Sequence, residues 1–247
     1  MLDKPKQAKF VYSGVPFSYQ KIYQGMKDML KGRWPQYGKL PEMFIHLLKD
    51  RLSQPLPGPE AQIKMAPQSR ISAISLDPPE SAQVSSVLIL LYPLDNHFFI
   101  PFILRTEYDG PHSGQIGLPG GKKEDRDQDL EQTAIREAKE ETGIDVAAIE
   151  VLGKLTTLYI PPSNFLVHPV VAYTPVRPDF VPDPGEVQEI IEVSLEDIGN
   201  EKHIARKNLK LRSGAVMEVP GFHLGDHFIW GATAMILSEF IEILQEF

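Results

Sequence analysis

The chain has 247 residues, 42% of them hydrophobic and 23% charged, a mixture that fits one sizeable soluble domain with or without an extension. Its formal net charge of −8 makes nucleic acid a poor default partner, so an anionic small substrate needs a local cationic pocket or bound cations. It has no cysteine, which excludes disulfides, thiolate metal sites and a cysteine nucleophile; the start, MLDKPKQAKFVYSG, lacks the apolar run of a signal peptide, and VLILLY (87–92) is too short to span a bilayer. A cytoplasmic protein without a membrane partner is expected.

Residues 1–39 mix aromatics and lysines with weak periodicity and are taken as an N-terminal extension of unknown role, ahead of a domain over 40–247. PEMFIHLLKDRL (41–52) opens with Pro and Glu and spaces Phe44, Leu47, Leu48 and Leu52 as one helical face. SQPLPGPE (53–60) ends that helix, and an extended, proline-containing stretch is expected to about residue 82. VSSVLILLYP (84–93) and HFFIPFILRT (97–106) are two strands joined by the turn LDN, a hairpin. The loop EYDGPHSG then leads through QIGLPGG to a glycine turn at Gly120 and Gly121. Residues 130–142 are helical, with Leu130, Ala134 and Ala138 on the apolar side.

Beyond Gly143, the segments 149–160 and 165–176 are strands, and VQEIIEVSLEDIGN starts as a strand and becomes a short helix. LKLRSGAVMEVPGFHLGDHFIWG forms strands around two turns, and GATAMILSEFIEILQEF is a closing helix. Strands and helices are interspersed without regular βαβ alternation. The fold class is therefore α+β, a mixed sheet packed by helices.

The stretch GGKKEDRDQDLEQTAIREAKEETG (120–143) carries the chemistry. Glu137, Glu140 and Glu141 lie at i, i+3 and i+4, on one helical face. Like charges at this spacing destabilise a helix by about 0.2–0.5 kcal/mol per pair, so something must compensate. Carboxylates brought together this way suit a hard cation, Mg²⁺ or Mn²⁺, that keeps open positions for phosphate oxygens. Arg136 sits beside them with a planar fork able to orient a carboxylate. Gly120 and Gly121 allow unusual backbone geometry, with N–H groups free to approach a phosphate. A bare EAKEE is more often a solvated acidic helix face than a site, since glutamate-rich helix surfaces are common; the glycines and the arginine set this stretch apart.

The segment resembles the signature of the Nudix hydrolase family, G-x5-E-x7-R-E-U-x-E-E-x-G-U with U apolar. Arg136, Glu137, Ala138, Glu140, Glu141, Gly143 and Ile144 match its second half, whereas Asp127 replaces the first glutamate and stands one residue further from the arginine. That departure, and the lead-in LRTEYDGPHSGQIGLPGG with Arg105, His112, Gly114, Gln115 and Pro119, is similar to the coenzyme A diphosphatase branch. Thr106, Asp109, Gly117 and Leu118 depart from that branch's lead-in. The resemblance covers residues 40–245.

It implies a Nudix-type α/β/α sandwich with a loop-helix metal site, and Mg²⁺- or Mn²⁺-dependent hydrolysis of a diphosphate linkage in a nucleoside diphosphate derivative. The implied substrate is coenzyme A or its thioesters, cleaved to 3′,5′-ADP and (acyl-)4′-phosphopantetheine. Alternatives are another Nudix diphosphatase acting on ADP-ribose or a nucleotide sugar, and a non-catalytic ligand-sensing module. By the same resemblance Glu137, Glu140 and Glu141 are metal ligands and, with Arg136, the catalytic group. Arg105, His112, Gln115, Gly120, Gly121 and Lys122 are substrate-binding candidates. Glu186 and Glu189 are candidates for an extra ligand or the general base. A homodimer is expected by analogy.

Overall fold

The computed structural model describes residues 40–68, 70, 77–107, 109, 112–210, 214 and 216–247. The proposed extension, 1–39, lies outside the described residues, as do Tyr108, Gly110 and Pro111 of the lead-in loop.

Strand β1 (Gln83–Leu94) is the spine. Its apolar run is buried on both faces: Leu88, Leu90 and Tyr92 pack on one side, Ile89 and Leu91 on the other. Alternation with a period of two turns a continuous hydrophobic stretch into the middle layer of a sandwich. The hairpin continues as β2 (His97–Arg105), followed by the short strands β3 (Ile116–Gly117) and β4 (Gly120–Lys122). β5 (Glu150–Lys154), β6 (Leu158–Ile160), β7 (Phe165–Tyr173) and β8 (Val187–Ser194) complete an eight-stranded sheet. β1 and β7 run parallel along their whole contact and the other pairings are antiparallel, so the sheet is mixed.

One face of the sheet is covered by α3 (Leu130–Thr142), whose Ala134 and Ala138 meet Leu88, Leu90 and Tyr92. The other is covered by α1 (Leu40–Leu52) and α5 (Gly231–Gln245), through Phe44, Leu48, Leu237 and Phe240. A separate antiparallel sheet orders β11 (His227–Trp230), β10 (Val216–Leu224) and β9 (Ile204–Lys210). A short α4 (Leu195–Ile198) follows β8, as the sequence pattern implied. Among the described residues no helix is long and apolar enough to cross a membrane.

Two expected elements differ. The stretch expected to be extended after α1 contains α2 (Pro59–Gln62) and a 3₁₀ turn, Ile63–Met65. Proline at the first helical position costs no hydrogen bond, so Pro59 starts this helix instead of preventing one. The single strand expected over 149–160 is broken into β5 and β6. At the break the main chain of Thr156 faces the helices: its N–H donates to Glu239 Oε1 at 3.3 Å and its carbonyl accepts from Gln62 Nε2 at 3.0 Å. Glu239 is wholly buried and also accepts from Gly58 N–H (3.1 Å) and Gln62 Nε2 (2.9 Å), as a buried carboxylate requires.

The topology also opens a gap. β1 pairs with β2 only beside the turn, Tyr92–Leu94 against His97–Phe99. Towards its start it takes β4 as neighbour, Ser85–Val87 against Gly120–Lys122. Where the two strands of the hairpin part, a cavity of about 270 Å³ opens against β6, β7 and the first turn of α5.

Candidate active site

Helix α3 is bounded by its own sequence. Asp129 caps the start by accepting from Gln132 N–H at 2.8 Å, while the Gln132 side chain accepts from Gln128 N–H. Gly143, at φ 71°, takes the left-handed conformation that stops the helix. These ends fix where the three glutamates project.

The structure separates them. Glu141, 1% exposed, lies under β4: Oε2 accepts the Gly120 N–H at 2.7 Å and Oε1 pairs with Arg105 Nη2 at 3.2 Å. Glu137 packs against Gly121 and pairs with Arg136 at 3.0 Å. Glu140, with a side chain 49% exposed, turns outward to Arg136 (2.8 Å) and Arg126 (3.0 Å). Among the described residues no three acidic or imidazole groups form a ready-made metal cage. The shared helical face does not make one cage of the three carboxylates: Arg105 holds Glu141 under β4, while Arg136 bridges Glu137 and Glu140 on the outer side. Much of the expected compensation of their charge thus comes from Arg105, Arg126 and Arg136.

Arg136 is the organiser. Its guanidinium grips Asp127 with two bonds, of 2.8 and 2.9 Å, and also meets Glu137, Glu140 and the Lys122 carbonyl. Asp127 is buried and receives two further bonds, from Thr133 Oγ1 (3.0 Å) and Glu124 N–H (2.9 Å). The Arg136 fork, aided by those donors, holds the Asp127 carboxyl well below the ordinary carboxylate range. The departure from the signature at 127 thus anchors the arginine.

Burial pushes the Glu141 carboxyl up to about 7, with Glu137 and Glu186 adding to the rise and Arg105 and the Gly120 N–H opposing it. Burial also raises Glu137, against the pull of Arg136. Glu186 is therefore electrostatically part of this cluster. Glu189 instead lies 4.0 Å from His227 on β11.

Gly120 and Gly121 are not a turn. They form β4, and the Gly120 N–H serves Glu141 instead of facing outward toward a phosphate. At φ 151°, a side chain on Gly120 would collide with the Ser86 carbonyl and the Val87 Cα of β1. A Cβ on Gly121 would collide with the Glu137 carboxylate. The two alanine variants therefore separate. Gly120→Ala forces β1 and β4 apart and is expected to lower stability by about 1–3 kcal/mol or more. Gly121→Ala displaces only the end of a flexible side chain, so thermal melting should change little while activity falls by about 10²-fold. Melting curves and initial rates on both proteins check this; equal melting losses would overturn it.

The cavity adjoins this cluster. Arg105, His112, Gln115, Gly120 and Gly121 line it, and the Lys122 side chain is exposed and outside its lining. His112 Nδ1 lies 3.1 Å from Gln115 Oε1, and burial lowers its pKa. The apolar wall includes Val87, Ile160, Phe165, Val167 and Ile236. Ser163, Thr233 and Ile236 also line the cavity, arriving from a loop and a helix distant in the chain, and no catalytic or binding pattern singled them out in the sequence. The Ser163 hydroxyl is buried without a hydrogen-bond partner.

The NUDIX domain profile matches residues 83–212, a span containing β1, β4 and α3. The chain belongs to the Nudix family. Its architecture, a mixed sheet between α3 and the α1–α5 layer, is the Nudix sandwich. "Nudix hydrolase 15, mitochondrial" of Arabidopsis thaliana is 30% identical over 72% of this chain and 65% of its own length. "Uncharacterized Nudix hydrolase NudL" of Yersinia pestis (strain Pestoides F) is 34% identical over 54% of this chain and 66% of its own. The matched regions thus span just under two thirds of these relatives. A solved MutT/nudix family protein from Enterococcus faecalis is similar at 16% identity and a TM-score of 0.44, over 76% of this chain and 73% of that one.

Proposed function

We propose that this Nudix protein hydrolyses the diphosphate linkage of a nucleoside diphosphate derivative with a divalent cation, Mg²⁺ or Mn²⁺, and that its substrate is coenzyme A or a thioester of it. One observation carries the reading: the lead-in residues Arg105, His112 and Gln115 wall the same cavity as the glycine strand that covers Glu137 and Glu141. Recognition and hydrolysis would then share one site.

The donor set fits a hard cation. The charge of Glu186 helps raise the carboxyls of Glu137 and Glu141, and all three offer oxygen. Glu140 joins them on the outer side. A bound divalent cation would neutralise the diphosphate and activate the attacking water. Arg136 holds Glu137 and Glu140 in place, and Asp127 holds Arg136. Glu186 and Glu137 are the candidate bases for the water proton. Glu189, on the His227 side, is the weaker candidate. The cavity is small for a whole substrate and mostly apolar, so it takes an uncharged portion while the diphosphate rests at its mouth. Attack of water on one phosphorus releases 3′,5′-ADP and 4′-phosphopantetheine from coenzyme A.

The test is product analysis by mass spectrometry after incubating the protein with Mg²⁺ or Mn²⁺ and coenzyme A, ADP-ribose, NADH or diadenosine polyphosphates. Release of 3′,5′-ADP from coenzyme A is expected, with loss on chelation and recovery on adding metal. Cleavage of ADP-ribose alone would discard the coenzyme A assignment. Activity that survives thorough EDTA treatment would discard the metal. No turnover at all would favour a ligand-sensing module.

A further inference from the structure

Arg105 ends β2 where the ladder with β8 slips: Leu104 faces Glu189, but Arg105 faces Val187. Such an irregularity redirects a side chain at the edge of a site. Here it sends the Arg105 guanidinium between two environments. Nη2 lies 3.2 Å from the Gly120 carbonyl and 3.2 Å from Glu141 Oε1, while the side chain, 25% exposed, also lines the cavity.

Both Glu141 oxygens are thus engaged, but unequally. Oε2 is held by a main-chain N–H that the β1–β4 pairing fixes in place. Oε1 is held only by a side chain, which can turn. A divalent cation on Oε1 repels a guanidinium on the same oxygen and draws off the charge that holds it, so the cation weakens the Arg105–Glu141 pair. Arg136 has no such freedom: it is locked to Asp127 and is absent from the cavity lining.

We propose that Arg105 is a positioning residue that exchanges partners, paired with Glu141 in the metal-free protein and turned onto the substrate's diphosphate when a divalent cation takes Glu141 Oε1. This goes beyond the diphosphatase reading above and rests on it. The exchange couples the two binding events: the cation frees the arginine, the arginine binds the anion, and by linkage the anion favours the cation. It would let the protein keep the buried carboxylate paired at rest and delay recognition of the diphosphate until the metal is in place.

The test uses the full chain and two probes, Mn²⁺ and the non-hydrolysable diphosphate α,β-methylene-ADP. Analogue binding is measured by calorimetry for wild type, Arg105→Gln and Arg105→Lys, each with and without Mn²⁺. Without metal, wild type and Arg105→Gln should bind the analogue equally weakly. With Mn²⁺, wild type should bind about fivefold or more tighter than Arg105→Gln, and Arg105→Lys should recover part of the difference. An arginine that always faces the phosphate would show the loss in both conditions, and a purely structural counter-ion in neither; either result overturns the exchange.

A second measurement needs no variant. Phenylglyoxal labelling of Arg105 in wild type, followed by peptide mass spectrometry, should speed up on adding Mn²⁺ and slow again with the analogue. Labelling indifferent to Mn²⁺ would also overturn the exchange. Mn²⁺ binding itself is read by electron paramagnetic resonance. If wild type binds no Mn²⁺, the metal reading fails along with the exchange; if it binds Mn²⁺ and Arg105→Gln matches it in every arm, only the exchange fails.

Discussion

Replacing Glu141 by glutamine is expected to lower turnover by about 10³-fold or more while the protein stays folded. The side chain is 1% exposed and nearly the same shape in both forms. In Glu141→Gln the amide oxygen can still accept the Gly120 N–H. The amide as a whole, however, carries no negative charge for a cation, and its NH₂ presents a second donor to Arg105. The protein therefore keeps the helix and strand contacts and loses the proposed metal ligand. Glu137→Gln should act similarly. Glu140→Gln is expected to lose activity too, and the outward position of Glu140 makes it the more demanding test of its role. Steady-state kinetics with circular dichroism of each variant decides the matter. Retained turnover in both Glu140→Gln and Glu141→Gln would sink the metal assignment.

Arg136→Ala should be the most damaging change to stability in this region, at about 3–5 kcal/mol. Removing the arginine leaves Asp127 ionised and buried with only Thr133 and the Glu124 N–H as partners. Breaking one half of a buried pair costs far more than the pair contributes, because the survivor stays desolvated. Asp127→Asn, which removes the buried charge, should cost less. The pH dependence has a definite sign. Asp127 is depressed in the folded protein, so its contribution is fully present above the unfolded value of about 3.9 and drains away as pH falls through the folded one. The gap between wild type and Arg136→Ala should therefore narrow below about pH 4. Urea melts at about pH 7 and about pH 3 measure this; a gap that widens in acid would contradict the assigned ion pair.

Local structure was largely legible. The helix expected over 130–142 is α3, residue for residue, because the Asp129 cap and Gly143 are signals that act within one turn. The hairpin and the closing helix were legible for the same reason: alternation and helical spacing are properties of neighbouring residues. The short helix at Pro59 was missed for a local reason, a proline that starts a helix instead of breaking one; the other misreadings fell where a distant partner decided the outcome. Thr156 breaks a strand because Glu239 and Gln62 claim its main chain. Gly120 and Gly121 carry the composition of a turn, yet β1 and Glu137 leave no room for anything larger, and that pressure comes from elsewhere in the chain.

The same division runs through the site. The order of residue types alone was enough to mark Arg136, the glutamates and the lead-in, since the signature is a local pattern on one loop and one helix. It could not tell that Glu140 turns outward to Arg126, that Asp127 locks Arg136, or that Glu189 lies beside His227. Nor could it find Ser163, Thr233 and Ile236, which reach the cavity only because β1 leaves β2 for β4 and α5 crosses the gap. Backbone preferences act over a few residues and are written in the sequence. Charge pairing, burial and the shape of a cavity depend on which segments the fold brings together, and only the tertiary structure decides that.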